Sequence, residues 1–316
     1  MNSNPVIDTD VAIIGAGTAG MSAYRAALEH TSRVLLIESG VYGTTCARVG
    51  CMPSKLLIAA ADAAHAVASA SRFGVSAGLM AIDGRAVMAR VRSERDRFVG
   101  FVVDAVQHWP PEHRLIGHAR FVDDHTLQVG ATQVRAQRFV IATGSRPAVA
   151  EAWRVALGER LIVNDDVFDW ADLPRSVAVV GAGVIGLELA QALHRLGVRV
   201  RVYGRGEQVG PLTDPALQAL ARQVFGAELP MSLALARIEP RRDGDGVLVR
   251  ATGRDGGVHE ERFEWLLAAT GRRPNVEHLG LENTTLPLDP TGIPLHDRRS
   301  AQVAELVHAA QVCDGL

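Results

Sequence analysis

Val11-Ala12-Ile13-Ile14-Gly15-Ala16-Gly17-Thr18-Ala19-Gly20 is the stretch from which the fold can be read. Its first four residues form a continuous apolar run, the pattern of a buried strand. Gly-x-Gly-x-x-Gly follows at Gly15, Gly17 and Gly20, and the spacing then predicts a helix to about Glu29. Each glycine has a mechanical task. Gly15 permits the tight turn, Gly17 lets a pyrophosphate approach the backbone with no Cβ in the way, and Gly20 lets helix and strand pack closely. The phosphates then lie on the helix N-terminus, whose free N–H groups favour an anion. A second strand, Arg33 to Glu38, completes a strand–helix–strand unit. Glu38 stands 18 residues beyond Gly20, placed to hydrogen-bond a ribose.

The same phrase returns as Val177-Ala178-Val179-Val180-Gly181-Ala182-Gly183-Val184-Ile185-Gly186, with a helix predicted to about Leu196 and a strand at Val198–Tyr203. One such glycine motif is weak; two, each in full strand–turn–helix–strand context, predict an α/β chain with two Rossmann-like dinucleotide units and parallel sheets. The second unit has no acid at the place equivalent to Glu38. Gly204 stands there, followed by Arg205. Arg205 can pair with a ribose 2′-phosphate, or it is a solvated turn arginine, so NADH and NADPH both stay open.

Composition narrows the function. Of 316 residues, 47% are apolar and 22% charged, the profile of a globular protein with room for two cores. A net charge of -2 offers no basic field, so nucleic acid is not an expected partner. No apolar run approaches ~18 residues and the N-terminus lacks the signal-peptide pattern, so neither a membrane span nor secretion is expected. With three cysteines the chain is no disulfide scaffold, and the expected compartment is cytoplasmic. Lys55 is the sole lysine in a chain whose other cations are all arginine.

Gly43-Thr44-Thr45-Cys46-Ala47-Arg48-Val49-Gly50-Cys51-Met52-Pro53-Ser54-Lys55 carries the chemistry. It leads into an alanine-rich helix predicted from about Met52 to Ala70. Two cysteines in C-x4-C at a helix start can reach one another, and a helix N-terminus favours the thiolate, which makes the pair redox-active. A zinc site would need a second pair of ligands; Cys313 is alone and distant in sequence.

This segment resembles the redox signature of the class I pyridine nucleotide–disulfide oxidoreductases, a family that includes dihydrolipoamide, glutathione and mercuric reductases or dehydrogenases. Its Cys-Met-Pro-Ser-Lys ending is most similar to the dihydrolipoamide dehydrogenase form. Ile141-Ala142-Thr143-Gly144-Ser145 and Ala269-Thr270-Gly271-Arg272-Arg273-Pro274-Asn275 are similar to the family's two domain crossings. The resemblance, over roughly residues 8 to 295, implies an FAD-binding domain at 1–148, an inserted NAD(P)-binding domain at 149–270 and a return to the first at 271–316. It implies FAD and NAD or NADP as cofactors, with a small disulfide or lipoyl substrate. It further implies that nicotinamide gives hydride to the flavin, that Cys51 is the thiol nearer the ring, and that Cys46 exchanges with substrate. Lys55 becomes the flavin-side cation, a place where a compact ammonium and a guanidinium are not interchangeable, and Glu188 is either its partner or an ordinary first-turn helix acid favoured by the dipole. Thr45, Ala119 in Gly117-His118-Ala119, Thr143, Gly144, Ser145 and Gly271 are the remaining cofactor-side positions that the resemblance marks.

The sequence departs from the family at its end. Where an Ala-Gly-Asp contact to FAD is expected, the chain reads His308-Ala309-Ala310-Gln311-Val312-Cys313, with Val312 in the aspartate's place. It stops at Leu316, before the domain that in the family makes a homodimer and supplies the partner's His–Glu pair. A truncated, non-catalytic nucleotide-binding remnant is therefore the alternative reading. Ser54 disfavours a glutathione reductase, and no C-terminal cysteine pair is present for a mercuric reductase. Between the motifs, a long helix is predicted from Asp83 to Trp109, and hairpins between about Leu229 and Leu267, turning at Asp243–Gly246 and Asp255–Gly257.

Overall fold

In this computed structural model the described residues are 5–297, 299–304 and 307–309. The chain divides into two compact units. Of the described residues, one unit comprises those within 5–48, 98–146 and 273–309, and the other comprises 49–97 and 147–272.

The first unit is built on a sheet whose parallel core follows the spatial order Arg114–Ile116, Val34–Glu38, Val6–Ile14, Thr132–Ile141, Val307–Ala309. The glycine-preceded strand is thus central, flanked by its sequence neighbour on one side and by a late strand on the other. That is the doubly wound order of a dinucleotide fold, and its reversal point lies beside the Val6–Ile14 strand. Ala12, Ile13 and Ile14 are buried there with Leu35, Leu36 and Ile37 of the next strand. Burial at ~1.5–3 kcal/mol for each large aliphatic side chain makes this pairing register hard to slip. The helix Thr18–Leu28 covers one face, and its Tyr24 stacks on Trp109 with ring centroids 3.9 Å apart.

The second unit repeats the scheme with a five-stranded parallel sheet, in the order Met231–Ser232, Arg199–Tyr203, Ser176–Val180, Trp265–Ala268, Leu161–Ile162. All five residues of Ser176–Val180 are buried, as a strand covered on both faces requires. The helix Val184–Arg195 sends Leu187, Leu189, Ala190, Ala192 and Leu193 inward. Its core is shared by Leu57 and Ala61 of the helix Cys51–Ser69 and by Met88 and Val91 of the helix Gly84–Gln107. An antiparallel meander, Leu235–Asp243, Gly246–Gly253 and Val258–Phe263, caps the unit and turns at the glycine-containing segments Asp243–Gly246 and Asp255–Gly257. Among the described residues no helix is long and apolar enough to cross a membrane.

Candidate dinucleotide and redox site

The two glycine turns are mechanical copies. Gly15 (φ +105°) and Gly181 (φ +121°) occupy left-handed backbone that a side chain disfavours. A Cβ at Gly15 would fall 2.3 Å from the Ala142 carbonyl oxygen; at Gly181 it would fall 2.1 Å from that of Ala269. At Gly20 and Gly186 a Cβ would lie 1.8 and 2.0 Å from the oxygens of Gly15 and Gly181, so these two permit the helix-to-turn contact. Around Gly17 and Gly183 there is no atom within 4 Å of that position. Each open space lies at the N-terminus of its helix, where a phosphate is favoured.

In the first unit that space belongs to a cavity of about 420 Å³. Gly15, Gly17, Glu38, Thr45, Ala119, Thr143 and Gly144 all line it, together with Thr44, Arg48, His118, Arg146, Asn275, Glu277 and His278. Glu38 is held by its neighbours: Oε2 accepts from the Ala16 N–H at 2.7 Å and Oε1 from the Gly40 N–H at 2.8 Å. A carboxylate has lone pairs left over for a ribose hydroxyl. Asn275 joins the two sides of the cavity, donating from its side chain to the Thr143 oxygen (3.0 Å) and from its backbone to the Gly144 oxygen (2.9 Å). Arg146 donates to the Asn275 side chain at 3.0 Å and pairs with Glu277. A strand-end carboxylate, an open glycine turn and a cavity of this size suit the adenosine diphosphate half of FAD, which these residues would hold.

The cysteine segment leaves this cavity directly. Thr45 lines it, and Cys46 is the next residue, on the short helix Thr45–Val49. Thr44 has φ +56°, a conformation rare for a β-branched residue, and its Oγ1 accepts from the Ala47 N–H at 3.0 Å. Cys51 opens the 19-residue helix Cys51–Ser69, the place where unpaired N–H groups favour a negative sulfur. Both cysteines are half-buried thiols. Ser54 is buried and donates to the Cys51 carbonyl at 3.0 Å.

In the second unit Lys55 Nζ donates to Glu188 Oε1, in a salt bridge between the fifth residues of the helices Cys51–Ser69 and Val184–Arg195. Arg205 is exposed just beyond the buried Gly204, whose N–H donates to the Ser232 oxygen at 2.9 Å. Ser145 begins the strand Ser145–Pro147 without lining the first cavity. Gly271 (φ +106°) offers its carbonyl to the Ala148 N–H at 2.8 Å. Ala310 to Cys313, including Val312, lie outside the described residues.

Sequence reasoning did not single out Arg48, Arg146 or Glu277. Arg48 stands between the cysteines in sequence and lines the cavity with Thr44 and Thr45. Arg146 and Glu277 sit at the edges of the two crossing motifs and meet only through tertiary folding.

Three comparisons bear on this geometry. The family model for pyridine nucleotide-disulphide oxidoreductase matches residues 9–310. A mercuric reductase from Shigella flexneri is 34% identical over 96% of this chain and 55% of its own length. A dihydrolipoyl dehydrogenase from Bacillus subtilis is 27% identical over 97% of this chain and 67% of its own. The chain thus spans about half to two thirds of the curated relatives it matches. An HOCl-induced flavoprotein disulfide reductase from Escherichia coli, solved as a Cu(II) complex, shares the fold with a TM-score of 0.76. Its sequence identity is 21%, over 96% of this chain and 65% of that one.

Proposed function

The chain belongs to the pyridine nucleotide-disulphide oxidoreductase family, whose cofactors are FAD and a nicotinamide dinucleotide, and from that premise we propose that it moves electrons between NAD(P)H and a small disulfide through Cys46 and Cys51. The observation that carries this reading is the adjacency of cavity and thiol: the space suited to a dinucleotide is lined by Thr44, Thr45 and Arg48, the residues on either side of Cys46.

FAD, when bound, supplies the two-electron carrier that links a nicotinamide hydride to a dithiol. The chain's own residues do the rest. The Gly15–Gly20 turn would hold the diphosphate, Glu38 the ribose, and the backbone of His118 and Ala119 the adenine. The Gly181–Gly186 turn holds the nicotinamide dinucleotide, and Arg205 stands beside its ribose. Lys55, paired with Glu188, would be the cation that serves the flavin. In the exchange step the Cys46 thiolate attacks a substrate sulfur, forming a mixed disulfide and releasing one substrate thiolate. The Cys51 sulfur then attacks Cys46, which releases the second substrate thiolate and closes the Cys46–Cys51 disulfide. Two electrons leave the cysteine pair, and the two departing thiolates take up protons.

A lipoyl-type disulfide is our first choice because of the Cys51-Met52-Pro53-Ser54-Lys55 ending, and oxidation of a dihydrolipoyl dithiol is the same exchange run in reverse. A mercuric ion is the second, favoured by the higher identity to mercuric reductase. Anaerobic titration with NADH and NADPH, followed by lipoamide or Hg(II), separates them. We expect yellow protein that gains long-wavelength absorbance on reduction and turns over with one of the two acceptors. Colourless protein without nicotinamide-dependent turnover would leave a non-catalytic nucleotide-binding fold instead.

A further inference from the structure

We propose that Arg48 is the counter-charge for the diphosphate held at the Gly15–Gly20 turn, a role that rests on the FAD reading of that cavity. Two acidic side chains line the space, and both are occupied: Glu38 by the Ala16 and Gly40 N–H groups, Glu277 by Arg146. The Arg146 guanidinium is likewise committed, to Glu277, Asn275 and the Pro274 carbonyl. Arg48 is different. It lines the same cavity, is exposed, and, among the described residues, its side chain has no hydrogen-bond or ion-pair partner.

Charge balance calls for such a group. Each phosphate of a dinucleotide bridge carries a negative charge, while a helix N-terminus contributes only about half a positive one. The Thr18–Leu28 helix therefore leaves most of the diphosphate's charge unmet, and it has no basic residue in its first turn. The stem of Arg48 is also guided. Its Cδ and Cγ lie 3.0 and 3.2 Å from where a Cβ at Gly43 would stand, and Gly43 has φ +124°. The missing side chain at Gly43 thus leaves room for the Arg48 stem. Its own N–H is tied to the Thr44 oxygen at 3.1 Å.

The test is FAD titration of purified apoprotein at low and high salt, followed by flavin fluorescence, for the wild type, Arg48→Met and Arg48→Lys. We expect Arg48→Met to weaken FAD binding about ten-fold or more at low salt, as loss of a charge-assisted contact should. That deficit should shrink at high salt, where the wild-type attraction is itself screened, and Arg48→Lys should recover much of the low-salt affinity. A dissociation constant for Arg48→Met within two-fold of wild type at low salt overturns the proposal and leaves the flavoprotein reading standing. So does one raised by the same factor at every salt concentration, which would mean a structural defect. Wild-type protein that fails to bind FAD at all overturns both.

Discussion

Lys55 pairs with Glu188 across two helices whose N-termini carry, respectively, Cys51 and the second glycine turn. The lysine side chain is 51% exposed and the glutamate 26%, so the pair sits within reach of solvent. An ion pair so placed contributes little to stability, roughly 0–1 kcal/mol.

We therefore expect Lys55→Met to leave the thermal midpoint within a few degrees of wild type and to impair electron transfer. The check is rapid-mixing absorbance of the flavin-loaded protein after addition of NADH, beside a melting curve. Lys55→Arg should also be slow, since a guanidinium does not reproduce a compact ammonium. Fast reduction in both variants would remove Lys55 from the mechanism.

The glycines of the first turn should separate binding from folding. At Gly17 a methyl group meets no atom within 4 Å, so Gly17→Ala should unfold at the wild-type urea midpoint yet lose FAD affinity. At Gly20 the same methyl would sit 1.8 Å from the Gly15 oxygen, and the helix must shift. Overpacking of this kind costs about 1–3 kcal/mol or more. Equal stability of the two variants would contradict the described turn.

Tyr203 is fully buried with a hydroxyl that has no hydrogen-bond partner among the described residues, and its ring meets Phe263 edge-on at 6.2 Å. Removing an unsatisfied buried hydroxyl should be neutral or stabilising, so Tyr203→Phe should match or exceed the wild type by up to ~1 kcal/mol at neutral pH. Burial raises the Tyr203 phenol above its ordinary 10.0. The unfolded chain therefore loses this proton first, and wild-type stability falls as pH rises above 10, with a slope approaching about 1.4 kcal/mol per pH unit from this group. Denaturant titrations at pH 9 and 11 should show a smaller loss in Tyr203→Phe.

Arg195 ties three helices of the second unit together. It donates to Glu228 at 2.5 Å and to Asp62 at 2.7 Å from the last turn of Val184–Arg195. The Arg195 hydrogen bond, aided by Gln191, lowers the Glu228 carboxyl below its usual range. A carboxylate so depressed adds stability above its unfolded value and loses it as pH falls below about 4.5. Arg195→Met should cost about 1–3 kcal/mol at neutral pH by stranding Glu228. Glu228→Gln should flatten the acid limb of the stability curve between pH 5 and 3, measured by denaturant midpoint.

What the sequence determined by itself was whatever is written in short, contiguous patterns. Val11–Gly20 and Val177–Gly186 specify two strand–turn–helix units because strand burial, turn geometry and helix start all fall within ten residues. Glu38 was legible for the same reason, since the length of one helix and one strand sets its distance from the turn. Only the tertiary structure decided which side chains converge from far apart. Residues 49–97 share a core with the second unit through Leu57, Ala61, Met88 and Val91. Asn275 bonds to Thr143, and Arg146 to Glu277. Arg48 turns toward the glycine cavity, while Cys46 two residues earlier does not line it. Such meetings depend on the direction of the chain after a turn as unusual as that at Thr44. Apolar periodicity reports which face is buried and carries no record of that direction.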